Sequence, residues 1–143
     1  MSGAALKPIL AVDFGRARIG LAISDELQLL AHPLETLSAG AAALDRIAAL
    51  VQERKIDKVV VGLPRRMSGE IGPAATDTLA FVKKLRALLP CEVITSDERL
   101  STVMANRALH AAGRKTRETR GYVDQVAAQI ILQSYLDRQS EAR

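Results

Sequence analysis

The chain has 143 residues, 48% hydrophobic and 25% charged, a size and balance expected of one globular domain over residues 1–143. Its net charge is +4 with a pI near 9.6, which favours a polyanionic partner without specifying one. A single cysteine, Cys91, excludes an internal disulfide and a Cys-rich zinc site, and no apolar run is long enough to span a membrane.

Ile9 to Asp13 is a short apolar run that ends in a charge and is followed by a turn at Phe14-Gly15. Ile19, Leu21 and Ile23 then alternate as in a half-buried strand, so the two runs read as a hairpin. A third strand is expected near Leu29 to Leu37, where Pro33 confines it to an edge or a bulge. The period changes over Ala39 to Lys55, where Leu44, Ile47, Ala48 and Val51 recur at helical spacing. Lys58 to Leu63 is continuously apolar after its first residue, the pattern of a strand buried on both faces. Pro73 can open a helix that runs to about Leu89, where Pro90 stops it, and Val93 to Thr95 forms a fifth strand. Ser101 can cap a helix reaching to Gly113; a basic loop follows, and Tyr122 to about Asp137 is the last helix. An antiparallel unit of three strands followed by parallel βα crossovers gives an α/β fold with a mixed five-stranded sheet and helices on its faces. That is the RNase H-like order.

Three segments carry carboxylates that could work together. Asp13 closes the first buried strand, although Asp before an aromatic and Gly is also ordinary turn chemistry. Asp124 has Ala128 and Ile131 in its helical column, which points it at the sheet; as a residue of the first turn it could instead serve the helix dipole. Asp97-Glu98 follows the fifth strand, and because successive strand residues face opposite ways only one of the two can join Asp13. Three converging carboxylates cannot all ionise without cations between them, and hard oxygen donors suit Mg²⁺ or Mn²⁺. Two such ions would suit phosphodiester hydrolysis.

The basic groups cluster in Arg114-Lys115-Thr116-Arg117-Glu118-Thr119-Arg120, with smaller sets at Arg16/Arg18 and Arg65/Arg66. Arg16, Arg65, Arg114, Lys115 and Arg117 are the candidates for holding substrate phosphates. Aromatics are only 3% of the chain, too few for a single-strand stacking platform, so any nucleic acid is expected to be gripped through its phosphates.

These same residues resemble a known family. Ala11-Val12-Asp13-Phe14-Gly15 with Arg18 to Asp25, Val60-Val61-Gly62-Leu63-Pro64 with Met67-Ser68-Gly69, Asp97 to Thr102, and Asp124 with Ala127-Ala128 and Ile130-Ile131-Leu132 together resemble the YqgF/RuvX family. The four motifs stand in the family's order and span nearly the whole chain. The resemblance implies the RNase H-like fold and a nuclease that matures the 5′ end of pre-16S ribosomal RNA. Kinship with Holliday-junction resolvases makes branched DNA the alternative substrate. It maps the catalytic and metal-binding acids onto Asp13, Glu98 and Asp124, with Asp97 the alternative to Glu98. Resolvase relatives carry an acid at the end of the fourth strand, whereas here that strand ends Gly62-Leu63-Pro64.

Other classes fit less well. Asp13-Phe14-Gly15 is similar to a protein-kinase motif, but no Gly-rich loop or catalytic loop accompanies it. Actin-like ATPases need two such domains. A non-catalytic RNA-binding assembly factor is the remaining competitor; it predicts binding that survives loss of the carboxylates. The lack of an apolar signal-peptide core near Met1 leads to an expectation of cytoplasmic residence, as a monomer or weak dimer.

Overall fold

The computed structural model describes residues 6–64, 71–97 and 117–142, with residues 117–121 described by their backbone alone. Five strands form one sheet: β1 (Ile9–Phe14), β2 (Arg18–Ser24), β3 (Ala31–Ser38), β4 (Lys58–Leu63) and β5 (Glu92–Asp97). Their order across the sheet is β3-β2-β1-β4-β5, which puts β1, an apolar run with little polar alternation, at the centre. β1–β2 and β2–β3 are antiparallel; β1–β4 and β4–β5 are parallel. The expected mixed sheet is therefore present, and the fold is RNase H-like.

The β1–β2 turn depends on Gly15, where an added Cβ would lie 2.6 Å from the Arg18 carbonyl oxygen. Pro33 lies on edge strand β3, as its missing N–H requires. The β2–β3 register also shifts there: Leu21 pairs with Glu35 but Ala22 with Pro33, leaving Leu34 as the bulged residue.

Helices α1 (Ala41–Glu53) and α2 (Pro73–Leu88) cover one face of the sheet, and α3 (Arg117–Glu141) covers the other. Pro73 occupies the start of α2, where its lost N–H costs nothing. Strand alternation divides the core in two. Leu10, Val12, Ile19, Leu21, Val59 and Val61 pack against α1 and α2. Ile9, Ala11, Ala22 and Val60 pack against Ala127, Ala128, Ile131 and Leu132 of α3.

Two boundaries differ from the sequence reading. The last helix begins at Arg117, so Arg117 to Arg120 is helical and not loop. Arg and Glu favour helix by propensity, yet the apolar period starts only at Val123, so pattern alone could not reveal the opening residues. β5 runs from Glu92 to Asp97, longer than Val93 to Thr95, because pairing with β4 holds its polar ends in register. The helix expected from Ser101 to Gly113 lies outside the described residues.

Candidate active site

Asp13 is the fifth of the six residues of β1 and pairs directly with Gly20 across the antiparallel ladder. Ile9 and Ala11 face α3, so alternation carries the Asp13 side chain to that same face. Gly20 shares it. A Cβ on Gly20 would overlap the backbone carbonyl of Asp124 and come within 3.0 Å of the Asp124 Cβ. The backbone of α3 thus rests on the backbone of β2 at the residue opposite Asp13. Directly opposed strand residues have Cβ positions about 5 Å apart. Asp13 and Asp124, far apart in the chain, therefore lie near each other at one end of one sheet face.

Asp124 is 8% exposed and lies in the column of Ala128 and Ile131, both buried, so it faces the sheet. As the eighth residue of α3 it lies beyond the first turn, which removes the helix-dipole explanation of its charge. Its compensation is specific: Arg18 Nε donates to Asp124 Oδ2 at 2.7 Å, with 41% and 12% of the two side chains exposed. The sequence groups Arg18 with Arg16 in a small basic set, where it reads as a reserve phosphate contact and not as the partner of Asp124. The signal for its place was present, since Arg18, Gly20 and Ala22 alternate on the face opposite to Ile19, Leu21 and Ile23.

At the same sheet end, Gly62 pairs with Ser96 and Leu63 with Asp97. β4 offers a glycine and not an acid there. Ile94 packs on the α3 side, and Ser96 accepts a hydrogen bond from Arg138 of α3 at 2.6 Å. Val93 packs on the opposite side, so Asp97, of the same parity, turns away from α3. Glu98 lies outside the described residues. Among the described residues no group of three His, Cys, Asp or Glu side chains is gathered to hold a metal ion.

The candidate phosphate contacts are placed unevenly. Arg16, in the β1–β2 turn, has 79% of its side chain exposed and pairs with Asp77 of α2 at 2.8 Å. Arg65, Arg114 and Lys115 lie outside the described residues, and the Arg117 side chain does too. Asp25, part of the opening motif, has a structural job: its Oδ1 accepts from the N–H groups of Leu29 and Leu30 at 2.7 and 3.1 Å, which holds its carboxyl below the usual aspartate value. Burial pushes the Cys91 thiol up, which disfavours its thiolate form.

The sequence pattern of the RuvX family, described as Holliday junction resolvase, matches residues 7–138. The chain belongs to the RuvX family. A candidate pre-16S rRNA nuclease of Roseiflexus sp. (strain RS-1) is 44% identical over 133 residues, covering 92% of this chain and 94% of that protein. A relative of the same name from Chloroflexus aurantiacus (strain ATCC 29366 / DSM 635 / J-10-fl) is 47% identical over 131 residues, covering 90% of this chain and 86% of that one. Among solved structures, Thermus thermophilus RuvC is similar with a TM-score of 0.54 and 14% identity, over 93% of this chain and 96% of that one. At that identity the RuvC likeness speaks for the fold of RuvX proteins alone. No helix among the described residues is long and apolar enough to cross a membrane.

Proposed function

We propose that this chain is a divalent-metal-dependent nuclease that hydrolyses phosphodiester bonds in maturing the 5′ end of pre-16S rRNA. Its RuvX relatives that carry that name support the substrate. The observation that carries the chemistry is the seating of Asp124 on Gly20, opposite Asp13, which brings two carboxylates from distant segments to one sheet end. In this reading residues 1–143 act as one nuclease domain in the cytoplasm, as a monomer or weak dimer.

Asp13 and Asp124 supply oxygen donors only, the set that suits Mg²⁺ or Mn²⁺, and Asp124 already holds a positive charge in the form of Arg18. Glu98 is the third acid: Asp97 shares the parity of Val93 and faces away from α3, which leaves its neighbour. Bound Mg²⁺ or Mn²⁺ would activate a water and stabilise the leaving oxygen. The chain's own residues then have separate tasks. The carboxylates fix the site, Arg18 balances the charge of Asp124, and Arg16, Arg65, Arg114, Lys115 and Arg117 hold the phosphates that flank the scissile bond. The test is cleavage of a 5′-extended 16S precursor RNA, an unrelated single-stranded RNA and a four-way DNA junction with Mg²⁺ or Mn²⁺. Preference for the precursor RNA supports the reading. Preference for the junction would move the assignment to the resolvase activity in the family's description.

Two further outcomes follow from the charges. Replacing Arg18 with Met removes the guanidinium that pairs with Asp124 in metal-free protein. Stability without metal should fall by about 1 kcal/mol, a value reduced because Arg18 is partly exposed. Added Mn²⁺ should raise the melting temperature of Arg18→Met more than that of wild type, since the ion takes over the neutralisation. Equal shifts in both proteins would separate Arg18 from the metal site. Replacing Arg114, Lys115 and Arg117 with Ala should weaken binding to all RNA sequences alike. It should also flatten the dependence of log K on log salt by up to roughly 0.7 per lost phosphate contact. A salt titration with an unchanged slope would leave that run a solvated face.

A further inference from the structure

A cleft of about 490 Å³ opens on the other side of β1 from the carboxylates, between the start of α1 and the outer part of α2. Its volume lies within the range of small-molecule sites. The floor is apolar: the partly exposed Phe14 and Leu44, backed by the buried Ile19 and Phe81, with the two phenylalanine rings stacked at a centroid distance of 4.5 Å. The rim is polar and mostly basic, with Arg16, Lys84 and Asp77. Gly40 and Ala41, at the start of α1, form another wall; that helix has no side-chain cap and no acidic residue in its first turn. Nothing stands within 4 Å of a Cβ placed on Gly40, so the space beside it is open.

The cleft lies at the same end of β1 as the carboxylates, across the sheet from them. Phe14 follows Asp13 in β1, so the two side chains lie on opposite faces of the same strand end. Arg16 projects from the turn between them and is held over the cleft by Asp77. An apolar floor beside two basic side chains, Arg16 and Lys84, fits one chemical unit well: a heterocyclic base with a phosphate attached. We propose that this cleft holds a nucleotide of the substrate strand, its base against Phe14 and Leu44 and its phosphate at Arg16 and Lys84. This rests on the nuclease reading only in that the strand continues from a scissile phosphate at Asp13 and Asp124.

The experiment is binding of a fluorescently labelled single-stranded RNA hexamer in EDTA, measured by anisotropy, beside single-turnover cleavage of precursor RNA at saturation with metal. Ala80 lines the cleft and is exposed, so Ala80→Leu fills the space without touching the core. Lys84→Gln removes a rim charge at another exposed position. Each variant should weaken hexamer binding about fivefold or more, with melting temperature and saturated cleavage rate within twofold of wild type. Adenosine 5′-monophosphate at millimolar concentration should shift the amide NMR signals of Gly40, Ala41 and Ala80 in wild type and not in Ala80→Leu. Folded variants that bind the hexamer as wild type does, or monophosphate shifts confined to other residues, overturn the proposal. Loss of hexamer binding in a protein that cleaves no RNA would keep the cleft and remove the nuclease reading; normal cleavage with unaffected binding would do the reverse.

Discussion

Asp13→Asn is expected to reduce hydrolysis by a thousandfold or more while leaving the fold in place. Asn keeps the size of the side chain and its carbonyl oxygen but removes the negative charge that a divalent cation needs. Metal-ion catalysis is worth several kcal/mol, and a loss of about 4 kcal/mol of transition-state stabilisation corresponds to about 10³ in rate. The strand should not suffer, because Asp13 lies near the end of β1 and is only partly buried, past the apolar run Ile9 to Val12 that anchors the strand. The check is a single-turnover cleavage rate beside a urea denaturation curve for the same preparation. A folded variant with full activity would remove Asp13 from the chemistry.

Gly20→Ala should be the most damaging small substitution in the described fold. The added methyl would overlap the Asp124 carbonyl, which is backbone and cannot rotate aside as a side-chain tip can. Overpacking in a core ordinarily costs about 1–3 kcal/mol, and a contact between two backbones belongs at or above the upper end. The structure can relieve the clash only by lifting α3 off β2. That movement would also loosen the buried contacts of Ala127, Ala128 and Ile131 and carry Asp124 away from Asp13. A fall in the urea midpoint equivalent to about 3 kcal/mol is expected, together with a loss of activity larger than the unfolded fraction explains. A variant that keeps wild-type stability would show that α3 does not bear on β2 at this point.

The fold was legible in the sequence wherever the pattern itself carries the physics. Lys58 to Leu63 has a strand's length and a buried strand's composition, and β4 has those limits. Pro33 announced an edge or a bulge because it lacks a donor, and β3 has both. The opening of α3 was not legible, since residues 117–120 are polar and show no period. At the candidate site, the direction of Asp124 followed from its column of Ala128 and Ile131. Its partner did not: Arg18 and Asp124 belong to segments that only the docking of α3 on β2 brings together. The same holds for Phe14 and Phe81. Nothing in the local sequence pairs these two; the sheet and α2 stack them beside one cleft.

The central claim is that Asp13 and Asp124 form one divalent-cation site that drives hydrolysis. Its most direct test is calorimetric titration of Mn²⁺ into wild type, Asp13→Asn and Asp124→Asn, with cleavage of 5′-extended 16S precursor RNA followed at each Mn²⁺ concentration. The account predicts saturable Mn²⁺ binding in wild type that rises in step with cleavage, weakened at least tenfold by either substitution. Cleavage at full rate in EDTA, or Mn²⁺ binding unchanged in both folded variants, would contradict it.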